Sequence, residues 1–144
     1  MRGIPVGYIV LRNNSYMTKK NLHPTAKELE ILQVLWKGGA LSVRDVHQAL
    51  GGEDTNGYTT VLKIMQIMHH KRLVTRQKSG KLHLYRAVPS QEVTRDEIIG
   101  RMIDTVFQGS SAKLVMSALG NKKSTKEELD EIRKYLDKLE GGDK

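Results

Sequence analysis

Cysteine is absent from the 144 residues. Disulfides, thiolate zinc or copper sites, iron–sulfur clusters and thiol catalysis are therefore excluded. No apolar run approaches the length that spans a bilayer, so no membrane insertion is expected. The opening Met1-Arg2-Gly3-Ile4-Pro5-Val6-Gly7-Tyr8-Ile9-Val10-Leu11 holds a short apolar patch but no small-residue cleavage site. It makes a poor signal peptide, and the expected location is the cytoplasm. The lone tryptophan, Trp36, reads as a core anchor rather than a ligand platform. The most telling absence is of acid. Between Asp54 and Glu92 there is no Asp or Glu, while seven Lys and Arg fall there.

The net charge of +8 is unevenly spread. Residues 1–23 carry four Lys/Arg and no acid, residues 24–89 ten against five, and residues 90–144 ten against eleven. A local positive field of this kind suits a polyanion. The helix that opens the acid-free stretch lacks the aromatic or Leu-rich lipid face of an interfacial helix, so nucleic acid is the better partner than a membrane surface.

That helix lies within residues 56–74. At about 100° per residue, Val61, Ile64, Met65 and Met68 fall on one side as a core stripe. Thr59, Lys63, Gln66 and His70 fall together on the other. The outer stripe offers hydroxyl, ammonium, amide and imidazole groups without a carboxylate, which suits base edges and phosphates. An ordinary solvated helix face is the plainer alternative for this helix taken alone.

Its surroundings decide between the two. Residues 1–23 show no helical period and read as a flexible arm, with a basic minor-groove arm as the functional alternative. Met17 is an alternative start that would leave residues 1–16 outside the natural product. Thr25 and Glu28 form a capping box that opens a helix with Leu29, Leu32, Leu35 and Trp36 as its stripe, closed by Lys37-Gly38-Gly39. A second helix starts at Ser42 with Asp45 at N3, runs through Val43, Val46, Ala49 and Leu50, and stops at Gly51-Gly52. A turn over 53–57 then leads into the polar-faced helix, which is the helix-turn-helix order. Leu73–Gln77 and Lys81–Val88 read as strands around a Lys78-Ser79-Gly80 turn, with Arg76, Lys78 and Lys81 at the tip. A basic hairpin after a recognition helix is a wing, placed to touch phosphates.

Beyond Pro89 the chain reads as wholly helical and charge-balanced. Thr94–Glu97 reads as a capping box before Ile98, Ile99, Met102, Ile103, Val106 and Phe107. Gly109-Ser110-Ser111 breaks the helix, and Leu114, Val115, Ala118 and Leu119 follow on a shorter one. Ser124–Glu127 reads as a further box opening a helix with Leu129, Ile132, Leu136 and Leu139 at heptad-like spacing. Three short amphipathic helices cannot bury their own stripes, and a second copy of the chain is the expected cover. The expected fold is mainly α with a small β-hairpin wing. It comprises a flexible arm (1–23), a winged helix-turn-helix (24–89) and a three-helix dimerisation region (90–144).

These residues resemble the penicillinase-repressor (BlaI/MecI) family. The resemblance is carried by Thr25-Ala26-Lys27-Glu28-Leu29-Glu30-Ile31-Leu32-Gln33-Val34-Leu35-Trp36, by Leu41-Ser42-Val43-Arg44-Asp45-Val46 and by Gly57-Tyr58-Thr59-Thr60-Val61. It continues through Lys71-Arg72-Leu73-Val74, Gly80-Lys81 and Tyr85, then Phe107-Gln108-Gly109-Ser110, Leu114-Val115 and Glu127–Arg133, so that it covers about residues 24–139. It implies a dimeric winged-helix repressor on operators that overlap promoters. Thr59, Thr60 and Lys63 then take base-facing positions beside Tyr58, with Gln66 within reach of adenine if the helix lies deep in the groove. Arg76, Lys78 and Lys81 serve phosphates. Ile99, Met102, Ile103, Val106, Phe107, Leu114, Val115, Leu129, Ile132 and Leu136 serve dimerisation.

The chain also departs from the family. Members commonly carry Arg at the place of Ile67 and Gly at the place of Arg72, which points to a different operator contact and a different turn into the wing. In resistance members a membrane-bound sensor with a zinc-protease domain triggers cleavage at an Asn-Phe bond. The aligned bond here is Ser117–Ala118, which lacks that pair. Copper-responsive relatives use a Cys-rich tail, a route this chain lacks.

No cofactor or metal is expected. His69, His70 and His83 have weak ligand spacing with no carboxylate nearby in sequence. No nucleophile–base pair stands out, so the chain does not read as an enzyme. A palindromic operator duplex and a second copy are the expected partners, with the sensor protease as a further one. The alternative function is a winged-helix protein-interaction module without specific DNA binding.

Overall fold

The computed structural model describes residues 23–55 and 57–141. The arm read over residues 1–23 lies, but for His23, outside them. The described residues divide into two units, one up to Ile99 and one from Gly100. The division falls inside a helix, beyond the change of composition at Pro89.

In the first unit, α1 (Ala26–Gly38) starts at the expected box: Glu28 N–H donates to Thr25 Oγ1 at 3.1 Å, and Thr25 N–H donates to Glu28 Oε1 at 2.9 Å. Its buried face is Glu28, Ile31, Leu32 and Leu35, one position round from the predicted stripe. Leu29 and Trp36 are only partly buried. The shift arises because Glu28 counts as polar in a periodicity argument, yet here its carboxylate is buried and satisfied. Lys71 Nζ donates to it at 2.8 and 3.0 Å. The Trp36 indole N–H donates to the Pro89 carbonyl at 2.9 Å, which anchors the partly buried tryptophan.

Short α2 (Val43–Ala49) carries a full box between Ser42 and Asp45 and buries Val43, Val46 and His47. Ala49 is exposed, against expectation, and His47 takes the inner place because i, i+4 spacing sets it above Val43. Just before α2, Leu41 exchanges two backbone hydrogen bonds with Tyr85, 3.0 and 2.7 Å. This one-residue bridge locks the helix-turn-helix to the wing. A Cβ added at Gly38 would sit 2.6 Å from Leu41 Cδ1, so the Leu41 side chain would have to shift.

A 3-10 turn at Gly52–Asp54 leads to α3 (Tyr58–His70), which buries Val61, Met65 and Met68. Strands β1 (Val74–Ser79) and β2 (Leu82–Ala87) pair antiparallel from Val74↔Ala87 to Ser79↔Leu82. The turn is thus Gly80-Lys81, not Lys78-Ser79-Gly80 as the sequence suggested. Gly80 alone of the two has positive φ, 63°, which is the φ pattern of a II′ hairpin turn matching strand twist. Buried Leu73, Val74 and Tyr85 close the core formed with α1, α2 and α3.

The join between α3 and β1 is a Schellman cap. Leu73 N–H donates to Met68 O at 2.9 Å and Arg72 N–H to His69 O at 3.1 Å, with Arg72 at φ 69°. Leu73 and Met68, the hydrophobic pair of that motif, are both fully buried. Arg72 takes the left-handed conformation that glycine adopts freely.

Helix α4 (Gln91–Thr105) starts earlier than the sequence suggested. Ser90 Oγ accepts from Val93 N at 3.0 Å, and Thr94 lies inside the helix, buried, with its hydroxyl donating to Ser90 O at 2.8 Å. With Val93 at N3 the true cap lacks the Glu half of a box, and Thr94–Glu97 was the stronger but wrong pattern. The second unit comprises the end of α4, α5 (Ser111–Asn121) and α6 (Lys126–Glu140). The box at α6 is Thr125 with Glu128, both bonds 3.0 Å, one residue on from Ser124–Glu127. Adjacent Ser-Thr and Glu-Glu make the two registers alike in sequence.

Two outcomes follow from the ends of α3. Arg72→Gly relieves left-handed strain but loosens the unfolded chain, and should raise stability by about 0.5–1 kcal/mol in denaturant titration. His69, in the last turn, has its imidazole pKa lowered from the ordinary 6.5, by burial first and then by the positive charges of Arg76, His70 and His83. A lowered folded value means that the unfolded chain binds the proton more readily. The contribution of neutral His69 is therefore present above pH 6.5 and is lost as pH falls through the lowered value. Between about pH 7.5 and 5.5 the wild type should lose more melting temperature than His69→Gln.

Candidate nucleic-acid interface

Helix α3 presents two faces because its sequence does. Val61, Met65 and Met68 are buried and Ile64 is partly so, while Thr59, Thr60, Lys63, Gln66 and His70 are all exposed. Tyr58 opens the helix at 41% exposure, and Ile67 lies outward at 44%. The N-cap is Gly57, which makes no side-chain bond to the first turn, and that turn holds no acid. Its amide donors and the positive end of the helix dipole are thus not satisfied by a local carboxylate.

The hairpin register sorts the wing cations. Arg76 pairs with Tyr85 and Lys78 with His83, so these four share one face of the ribbon with Val74. Val74 and Tyr85 sit in the core at its base, whereas Arg76, Lys78 and His83 are exposed further out. Lys78 is therefore a strand residue rather than a tip residue. Lys81 occupies the turn itself. Arg76 and His83 both act electrostatically on His69, so the wing face lies beside the end of α3.

Of the seven cations in the acid-free stretch, Lys71 is held by Glu28. Among the described residues the other six form no ion pair. They are solvated charges on one element pair, available to a polyanion. The described residues contain no group of three or more His, Cys, Asp or Glu placed to hold a metal ion. No described helix is long and apolar enough to cross a membrane.

Two features here were not legible in sequence. One is the Glu28–Lys71 pair, whose partners lie 43 residues apart. The other is His47, only 5% exposed, whose ring meets that of Tyr58 edge to face, centroids 5.8 Å apart and planes at 87°. Its i, i+4 relation to Val43 was the available signal for its burial, but nothing in the spacing pointed to Tyr58.

The candidate dimerisation residues differ in character from those of the winged helix. Ile99, Met102, Val106, Val115 and Leu136 are exposed, and Ile103, Phe107, Leu114, Leu129 and Ile132 only partly covered. No described residue from Gly100 onward is buried. Ser117 and Ala118 lie within α5, where Ser117 O accepts from Asn121 Nδ2 at 3.0 Å.

The sequence pattern of the penicillinase repressor family matches residues 24–138. The transcriptional regulator BlaI of Mycobacterium tuberculosis is 30% identical over 119 residues, covering 80% of this chain and 83% of that protein. The methicillin resistance regulatory protein MecI of Staphylococcus aureus is 18% identical over 122 residues, covering 85% and 99%. Among solved structures, a MarR family protein from Bacillus stearothermophilus is similar with a TM-score of 0.48 and 18% identity, covering 90% of this chain and 84% of that one. The chain belongs to the penicillinase repressor family, and is a DNA-binding transcriptional repressor built on a winged helix rather than an enzyme.

Proposed function

We propose that the protein represses transcription as a homodimer on a palindromic operator, in the cytoplasm. The observation that carries this is the exposed, acid-free face of α3 continuous with the cations of the wing. In this reading α3 enters the major groove, with Thr59, Thr60 and Lys63 toward base edges and Gln66 within reach of adenine. Tyr58, Arg76, Lys78 and Lys81 meet phosphates, which fix register without reading sequence. Residues 24–89 bind DNA and residues 90–144 join two copies.

The dimer is supported by exposed Ile99, Met102, Val106, Val115, Leu136 and Leu139. An apolar set of this size, with no described residue from Gly100 onward buried, favours a partner surface. A two-fold pair doubles the phosphate contacts and matches a palindrome. Relief of repression is assigned to a signal acting on the C-terminal region. Cleavage between Ser117 and Ala118 by a membrane-bound sensor's pathway is the version the family resemblance supplies. Here that bond lies inside a hydrogen-bonded helix and lacks the Asn-Phe pair.

The test is a titration of the full chain against promoter DNA from upstream of its own gene, with unrelated duplex as competitor. Specific binding is expected at nanomolar concentrations or tighter. Log affinity should fall linearly with log salt, with a slope of about −0.9 per phosphate neutralised. Equal affinity for both duplexes would remove autoregulation by this promoter. Lys63→Glu should abolish operator binding and leave the dimer intact in sedimentation; retained binding would mean that α3 meets DNA by another face.

A further inference from the structure

Tyr58 is the first residue of α3 and stands where the helix-turn-helix hands the chain to the recognition helix. The residue before it, Gly57, contributes no capping side chain. What meets the Tyr58 ring is His47, from the preceding helix. His47 itself cannot swing: it is 5% exposed and shares the inner face of α2 with Val43 and Val46. Its Nε2 lies 3.5 Å from the Glu53 carboxylate, which ties the same imidazole to the turn between the two helices. The edge-to-face contact with Tyr58 leaves the phenol partly exposed at 41%. A phenol whose ring is held at an exposed position is suited to donate to a phosphate oxygen.

We propose that His47 is a positioning residue for DNA binding: from the buried face of α2 it holds the Tyr58 ring edge to face, and so places the phenol hydroxyl for a backbone phosphate. The proposal rests on the repressor reading above. It adds a residue that touches no DNA but acts through one that does. Because the contact is to phosphate, it strengthens binding to any duplex and leaves sequence preference unchanged.

A double-mutant cycle separates this from simple core filling. Full-length wild type, His47→Leu, Tyr58→Phe and the double variant would be titrated against the promoter duplex and an unrelated duplex of equal length. His47→Leu should weaken binding about fivefold where Tyr58 is present, and by less than about twofold on Tyr58→Phe, because the hydroxyl it places is then gone. His47→Phe keeps a ring and should stay within about twofold of wild type. A residue that merely fills space would give Leu and Phe the same result. Should His47→Leu not fold, as judged by its melting curve, His47→Gln takes its place in the cycle. Equal losses in both Tyr58 backgrounds, or no loss for His47→Leu in a chain that binds duplex, would overturn the positioning role and leave the repressor reading standing. A wild type that binds neither duplex would overturn both.

Discussion

Helix α1 begins and helix α3 ends on the same buried carboxylate. Glu28 accepts from the Thr25 amide at its own helix start and from the Lys71 ammonium at the C-cap of α3, and it is 4% exposed. A buried carboxylate with one of its partners removed is an uncompensated charge, so the cost of breaking such a pair exceeds what a surface ion pair contributes. Lys71 is about a third exposed, which screens the pair on one side only. The consequence is geometric. The ends of α1 and α3 are fixed to one another by a charge-assisted contact, while the core between them is apolar and non-directional. The price is one cation of the acid-free stretch, whose charge is spent inside the protein.

With α3 fixed in this way, its outward face is set by the inward one. Met65 and Met68 are fully buried and Val61 nearly so, and rotation of the helix by one position would expose a methionine and bury Lys63. Burying an unpaired ammonium is far costlier than any contact it could gain. That is why the two faces of α3 were legible in the sequence: the apolar stripe has period 3.6 and Lys63 admits no other orientation. The boxes at Thr25 and Ser42 were legible for a similar reason, since each has one acceptor and one acid at the required spacing. Where two registers satisfied the same rule, at Ser124 and Thr125, spacing could not decide. Where the cap had only half its signature, at Ser90, a stronger decoy three or four residues on won. Contacts across the fold, Glu28 with Lys71 and His47 with Tyr58, have no local signal at all.

The two units differ in how much they bury alone. The winged helix holds a closed core of Ile31, Leu32, Leu35, Val46, Met65, Met68, Leu73 and Tyr85. The second unit has helices with sound caps at Ser110 and Thr125 but no buried side chain among its described residues. Caps specify where helices begin, and they do not supply the apolar burial that holds helices together. On the dimer proposed above, the C-terminal half would gain most of its stability from the partner copy. In the proposed dimer this would tie operator occupancy to assembly: any process that removes the partner surface would also halve the phosphate contacts.

The local irregularities of the winged helix gather on α3. Helices α1, α2 and α6 all have reciprocal capping boxes, whereas α3 starts at a glycine with no side-chain bond and no acid in its first turn. Its other end forces Arg72 into the left-handed region and holds His69 against positive neighbours. Each is a departure from what local stability would select, of order 1 kcal/mol for the arginine alone. A carboxylate cap or an acidic first turn would steady the helix, and would also place negative charge where the proposed complex brings phosphates. An acid near His69 would relieve the cations and cancel the field of the wing. Stability forgone at both ends of α3, where α1 and α2 keep full boxes at their starts, is the pattern of an element whose surface is selected for a polyanion rather than for the folded chain by itself.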